Sequence, residues 1–328
     1  MPLVIDANSL IKRCIMATAL DDLKAGGQFT GGVYGALNTL RAFLESPEGR
    51  YSGPIVACFD AGIPKRRLEL LPDYKCKREE RKKLLTEEEK ASAFTQIGLA
   101  RKMMEKLGVL CISYTEREAD DVVGAVASIC LKHFGTPVVM SGDKDLWQMV
   151  EWGARVYDLN KKRWIDADNF AEITGVESST YLLYKTLVGD PSDSIAGCSG
   201  CGDKRAKELI LEATEHVKGF ERMSTTAQLC VLRNRAAQRP KPRKFEKSLY
   251  ENIDYLKRVV KAIDLRRSFG GTEGLTKQLV NWVPDVQKLG FLRLCKKLDL
   301  QSIIGAPDRY DQPFRRSAKK FSVTRKTS

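Results

Sequence analysis

Short apolar runs rich in β-branched residues alternate, over the first half of the chain, with longer stretches of helical spacing. Leu3–Ile5, Ile55–Phe59, Val109–Ser113, Val138–Met140 and Arg155–Leu159 read as strands. Between them Val33, Leu37, Leu40 and Leu44 recur at helical spacing. So do Phe94, Ile97, Met104 and Leu107, and then Val122, Val126 and Ile129. Strands alternating with helices predict an α/β domain over residues 1–166, a parallel twisted sheet flanked by helices. From 167 to 305 the pattern is almost wholly helical, broken by a Gly-rich turn at 197–202 and a Pro/Lys/Arg stretch at 239–244. Residues 306–328 hold seven Lys or Arg, two Asp and two Pro with little apolar periodicity. They predict a basic, disordered tail.

Charge sharpens this picture. The 328 residues carry a formal +13, and three segments hold more than all of it. Residues 65–83 are net +5, residues 233–247 net +6 and the tail net +5, which leaves the remainder at −3. A basic rim around an acidic remainder suits a metalloenzyme that handles a polyanion. Nine cysteines, scattered and odd in number, argue for a reducing compartment rather than a disulfide scaffold. Two histidines leave little room for histidine metal sites or Ser-His catalysis. No apolar run is long enough for a membrane helix, and the start MPLVIDANSL lacks a signal peptide's order. A cytoplasmic protein is expected.

The acids carry the chemistry. Asp6 closes LVI, Asp60 closes IVACF, and Asp143 and Asp145 follow VVMSG. In an open parallel sheet, ligands bind outside the carboxyl ends of the strands, so three strands deliver aspartates to one edge. EADD adds Glu118, Asp120 and Asp121 at the start of a helix, and GDPSD adds Asp190 and Asp193. Singly, each acid has an ordinary use in a helix cap or turn. Together they repel and require compensating cations. Oxygen-only ligands point to two Mg²⁺ or Mn²⁺ ions, which would clamp the attacking and leaving oxygens of a phosphoryl displacement. A dinucleotide-binding sheet would need G-x-G-x-x-G after the first strand, where this chain has IDANSL.

In order along the chain, VIDANSLIKR, TGGVYGALNTL, FDAGIPKRRLELLPDYKCKR, EREADDVVGAVA, SGDKDLWQMV and GDPSDSIAGCSGCGDKRAKELI resemble the 5′ nuclease family. That family takes in flap endonucleases, phage 5′–3′ exonucleases and the 5′ nuclease domain of bacterial DNA polymerase I. The resemblance covers about residues 1–215 and extends loosely to 305. It implies a 5′ nuclease (PIN-like) fold with a helical arch over 73–95 and a helix–turn–helix over 190–215 that grips duplex DNA. It implies that Asp6, Asp60, Glu118, Asp120, Asp121, Asp143, Asp145, Asp190 and Asp193 are the metal-site acids, with Asp120 and Asp143 central to catalysis. Lys75 and Arg78 match a phosphate-contacting pair acting on the transition state, Arg13 and Arg67 further phosphate-facing positions, and Tyr74 an aromatic that stacks on a base.

The residues themselves support part of this. Lys75, Arg78 and Lys82 fall at i, i+3 and i+7, so one helical face would line a negatively charged strand. Gly197, Gly200 and Gly202, followed by Lys204, allow backbone amides to approach phosphates before a helix. The resemblance adds a possible K⁺ at that turn. Ser194 stands where the family pattern has Asn. Cys198 and Cys201 replace apolar residues and read as small buried fillers, since no second C-x-x-C pair exists. The stretch 233–247 stays unassigned. The expected activity is metal-dependent hydrolysis of phosphodiester bonds at DNA 5′ ends, as 5′–3′ exonuclease and flap endonuclease in replication, repair or primer removal. The expected substrates are 5′ flaps, nicked DNA, duplexes with a free 5′ end and RNA–DNA hybrids, acted on by a monomer in a bacterial or phage-infected cell. The alternatives are a PIN-like ribonuclease and a non-catalytic DNA-binding protein.

Overall fold

A computed structural model describes residues 1–17, 23–47 and 53–327, with side chains as far as Ser322. The strands are β1 (Leu3–Asp6), β2 (Lys24–Ala25), β3 (Gln28–Phe29), β4 (Ile55–Cys58), β5 (Leu110–Ile112), β6 (Val138–Ser141), β7 (Arg155–Asp158), β8 (Arg163–Ile165), β9 (Gly189–Asp190) and β10 (Ile195–Ala196). Six of them form one sheet in the order β5-β4-β1-β6-β7-β8. Its first five members run parallel, and β8 returns antiparallel to β7. The five expected strands are therefore all present. The edge strand β8 and the two small hairpins, β2–β3 and β9–β10, are additions whose two or three residues are too short to show a period.

The helices of the first half are α1 (Ala7–Ile15), α2 (Gly31–Glu45), α3 (Lys65–Leu70), α4 (Cys76–Lys83), α5 (Glu87–Lys106) and α6 (Ala119–His133). Those of the second half are α7 (Phe170–Thr174), α8 (Tyr181–Val188), α9 (Asp203–His216), α10 (Thr225–Ala237), α11 (Lys244–Glu251), α12 (Ile253–Ile263), α13 (Glu273–Asn281), α14 (Lys288–Lys297), α15 (Gln301–Ile304) and α16 (Pro307–Thr327). A parallel sheet covered on both faces demands apolar residues at every position, which is why LVI, IVAC and VVM are unbroken.

Strand parity sorts the two layers. Leu3, Ile5, Ile55, Ala57, Val138 and Met140 pack with α1, α2 and α5. Val4, Val56, Cys58 and Val139 face α6 and then the helices from α7 to α13 in one continuous core. Near residue 166 the secondary structure changes but this core does not break. The last helices return to the opposite layer, where Phe291, Cys295 and Ile303 join the core under α1, α2 and α5. Phe94, expected on a packed face, is 82% exposed, because α5 buries side chains only from Gln96 onward.

The expected disordered tail is a helix. α16 places Tyr310, Phe314 and Phe321 at helical spacing, all buried, with the Tyr310 hydroxyl donating to the Asn38 side chain at 2.6 Å. Phe321 meets Phe134 edge-on at 5.9 Å. Three aromatics suffice to hold a charged helix, and their spacing is hidden by the seven bases among them. Among the described residues no helix is long and apolar enough to cross a membrane.

Candidate active site

The carboxylates collect where the topology turns back on itself. From β1 the chain moves outward to β4 and β5, then returns to β6 on the other side of β1. Asp6 ends β1, and Asp60 and Asp143 stand two residues past β4 and β6, so all three lie at the carboxyl edge of neighbouring central strands. Such a switch point opens a crevice.

Local hydrogen bonds fix each acid. Asp6 accepts the Ser9 N–H at 3.0 Å and the Ser141 hydroxyl at 2.7 Å, and it caps α1. Asp60 accepts the Ala119 N–H at 2.8 Å, tying β4 to the start of α6. The Asp60 N–H in turn donates to the buried Asn8 at 2.9 Å, and Lys12 lies 3.3 Å from its carboxylate. Asp143 accepts the Asp145 N–H at 2.8 Å and caps the 3₁₀ turns of 144–152.

Asp120, in the first turn of α6, is different. Its carboxylate receives no hydrogen bond or ion pair among the described residues. Burial pushes it well above the ordinary carboxylate range, and the charges of Asp143 and Asp6 push it further. Burial also raises Asp6 to about 6, against the pull of the Ser141 and Ser9 hydrogen bonds, and raises Asp143, to which Asp145 adds. Three crowded, poorly solvated carboxylates with oxygen-only donors have the chemistry of hard divalent-cation ligands. As the side chains stand, no three His, Cys, Asp or Glu residues among those described are set to hold an ion. The other six acids pair with bases or backbone as well, so among the nine only Asp120 has no hydrogen-bond or ion-pair partner in the described residues.

Those pairs revise several expectations. Glu118 and Asp121 are engaged by Arg67, whose guanidinium meets Asp121 at 2.6 Å and Glu118 as well, while its Nε donates to the Ala262 carbonyl at 2.9 Å. Arg67 is 5% exposed. It does not face phosphate; it braces the start of α6 against α12. Tyr74 is buried too, in a small cluster with Leu71 and Ile195, and its hydroxyl donates to Glu118 at 2.9 Å. Its ring is therefore not free to stack on a base.

Lys75 and Arg78 do reach the acids. Lys75 pairs with Glu118 and lies 3.8 Å from Asp193, and Arg78 pairs with Asp193. Lys75 also acts on Asp120, and Arg78 on Asp143, each lowering the carboxyl. Burial nonetheless raises Asp193 to about 6, with Lys75 and Arg78 pulling against it. Lys75 sits in the left-handed region (φ 61°) just before α4, so it does not share a helical face with Arg78 and Lys82. The exposed Lys82 pairs with Glu79 on its own helix. The segment expected to form the arch is anchored by the Lys75 N–H on the Asp193 carbonyl at 2.8 Å and the Lys77 N–H on the Ser194 hydroxyl at 3.2 Å.

Sequence reasoning passed over Lys185. From α8 it lies 2.7 Å from Asp145 and 3.7 Å from Asp190, joining the GDKD and GDPSD motifs. Burial opposes ionisation of Asp190, yet the Ser192 hydrogen bonds and Lys185 hold it below the ordinary range. A lone lysine in the apolar run YLLYKTLV was the available signal. Asn8, Lys12 and Ser141 were passed over too, because their roles depend on partners distant in sequence.

Arg13 stands apart from the acids, in a cleft with Tyr34, Asn38 and Trp164. In the glycine turn, Gly197 is required by packing, since a Cβ there would collide with the Leu187 carbonyl. Gly200 has φ +77°, and Gly202 opens on free space just before α9. Lys204 is exposed, 4.0 Å from Glu208. Cys198 and Cys201 are buried free thiols in the core, as fillers should be.

A family model described as the 5′-3′ exonuclease N-terminal, resolvase-like domain matches residues 1–175. A 5′-3′ exonuclease of Bacillus subtilis is 30% identical over 217 residues, 64% of this chain and 69% of that protein. DNA polymerase I of Streptococcus pneumoniae is 30% identical over 218 residues, and the chain spans only 24% of its length. Among solved structures, the zinc-bound T5 5′-exonuclease shares the fold with a TM-score of 0.65 at 20% identity, over 92% of this chain and 99% of that one. With more than half its length matched, the chain belongs to the 5′-3′ exonuclease family.

Proposed function

We propose that the protein is a divalent-metal-dependent, structure-selective 5′ nuclease that hydrolyses phosphodiester bonds at or near DNA 5′ ends, by exonuclease and flap cutting. One observation carries this reading: Asp6, Asp60 and Asp143 stand at the carboxyl ends of three neighbouring strands at a sheet switch point, and Asp120, in the first turn of α6, feels the charges of Asp6 and Asp143. The B. subtilis relative is named a 5′-3′ exonuclease, and the T5 relative is described with divalent metal ions, which supports the same reading. Asp6, Asp120 and Asp143 would hold the first ion, and Asp145, Asp190 and Asp193 a second. Mg²⁺ or Mn²⁺ suits such oxygen ligands. The ions supply charge compensation and an activated water.

The chain's own groups do the rest. Asp6 and Asp60 are immobilised by Ser9, Ser141, Asn8 and Ala119, so the acid edge is preorganised. Lys75 and Arg78, at the foot of the arch segment, turn from Asp193 and Glu118 toward a phosphate and stabilise its developing charge. Glu118 and Asp121, bound to Arg67, hold the first turn of α6 in place for Asp120. A K⁺ at the glycine turn, action on RNA–DNA hybrids and a monomeric enzyme belong to this proposal through the resemblance.

Labelled 5′ flap DNA, blunt duplex and single-stranded RNA, each with and without Mg²⁺, test it. Mg²⁺-dependent release of the 5′ flap is expected. Cutting of RNA alone would favour the ribonuclease alternative, and binding without cutting would favour a DNA-binding protein.

A further inference from the structure

The basic stretch 233–247 folds against the glycine turn. α10 ends at Ala237, the chain passes Pro240 and Pro242, and α11 begins at Lys244. Phe245 is the anchor. Its carbonyl accepts the Cys198 thiol at 3.3 Å, and three residues on the Ser248 hydroxyl accepts the Ser199 N–H at 3.0 Å. Arg205 of α9 and Arg243 lie over its buried ring at 4.8 and 4.5 Å. The Phe245 carbonyl, the Phe245 ring and Ser248 thereby tie α11 to the glycine turn and to α9.

The seven bases of the stretch divide by type. Arg235 and Arg239 reach Glu212 at 3.0 and 3.2 Å, Arg239 and Arg243 reach Glu246 at 3.1 and 2.9 Å, and Arg233 bonds Asn234. Arg235, Arg239 and Arg243 build a frame with these two acids, while the half-buried Arg233 meets no carboxylate among the described residues. Lys241, Lys244 and Lys247 are exposed and meet no carboxylate among the described residues. The Lys244 stem passes 3.9 Å from the place a Cβ on Gly200 would occupy. Three unpaired ammonium groups within seven residues repel one another, an arrangement that an apposed polyanion turns favourable.

We propose that Lys241, Lys244 and Lys247 form a phosphate-binding strip that continues the glycine-turn surface along the same DNA duplex. The inference rests on the reading of the protein as a nuclease of duplex-containing DNA. Lysines on long stems neutralise phosphates as point charges and carry no base information, so the partner is duplex backbone of any sequence.

Equilibrium binding of the whole chain to a blunt duplex, in chelator and from about 50 to 200 mM salt, reads the number of phosphates neutralised. The K241A/K244A/K247A variant should flatten the slope of log K against log salt by about 2–3, at roughly 0.9 per contact. K241R/K244R/K247R should keep the wild-type slope. The same alanine exchange at Lys132, Lys218 and Lys277, exposed elsewhere, should leave it unchanged. An unchanged slope in the first variant, or an equal loss in the control, overturns the strip. If the wild type itself fails to bind duplex, the nuclease reading falls and the strip with it; if it binds, the strip is judged alone.

Discussion

Lys185 stands 2.7 Å from Asp145 and bridges it to Asp190, an internal cation where the proposed second metal would lie. Replacing it with Met leaves two partly buried carboxylates facing each other. In chelator the loss should be about 1–2 kcal/mol, well below the range for fully buried pairs because these side chains keep some solvent. Thermal melts should show a lower midpoint than wild type in EDTA and a much smaller deficit with saturating Mg²⁺. An equal deficit in both buffers would mean that no ion takes over the role of Lys185.

Asp120→Asn and Asp143→Asn should act in opposite directions on stability and activity. Each removes a partly buried charge whose carboxyl is pushed upward by desolvation and by neighbouring acids. The metal-free protein should melt about 2–4 °C higher at neutral pH for each kcal/mol relieved. Single-turnover cleavage should fall by at least about 10²-fold. Wild-type turnover in both variants would remove these acids from the metal site.

Asp6 and Asp193 titrate near 6 in the metal-free fold, above the ordinary carboxylate value of about 4. A raised folded pKa contributes stability that is complete below the unfolded value and is lost as pH rises through the folded one. The metal-free protein should therefore lose this contribution between about pH 4 and pH 6. Asp190, held low, works the other way and loses its contribution only as the solution turns strongly acid. Melting curves of wild type and D6N/D193N across this window should converge at low pH and separate above 6, with the variant higher. Parallel curves would contradict the raised values.

Arg78→Ala should slow single-turnover cleavage more than it weakens DNA binding. Its guanidinium is held at Asp193 and acts on Asp143, beside the proposed reacting phosphate. Lys75→Ala should do the same and also lower stability, since Lys75 is more deeply buried and pairs with Glu118. A pure affinity loss with an unchanged rate would make both ordinary backbone contacts.

Deletion after Gly305 should destabilise the whole protein. The deletion removes Tyr310 and Phe314 from the layer under α1, α2 and α5, and Phe321 from its contact with Phe134. Phe314→Ala alone should cost about 3–5 kcal/mol, the usual range for a buried aromatic. Chemical denaturation measures it. Unchanged stability would restore the expectation of a detached tail.

Much of the site was legible in the chain because its signals are local. An aspartate directly after an apolar strand run must sit at the strand's carboxyl end, so Asp6, Asp60 and Asp143 could be placed without tertiary contacts. EADD at a helix start is equally local. What each charged group faces is a different matter. Arg67 lies 51 residues from Glu118, Lys185 40 from Asp145, and Phe245 47 from Cys198. Side-chain period and turn chemistry carry no information over such separations. Tyr74 was expected, through the resemblance, to stack on a base, yet α12 covers it; 306–328 looked too charged to pack, yet three aromatics seat α16. The sequence by itself determined the five parallel strands, the aspartates at their carboxyl ends and the family. The tertiary structure decided which charges neutralise one another and which stay unpaired at the surface, because burial and pairing belong to the packed chain and not to any one segment of it.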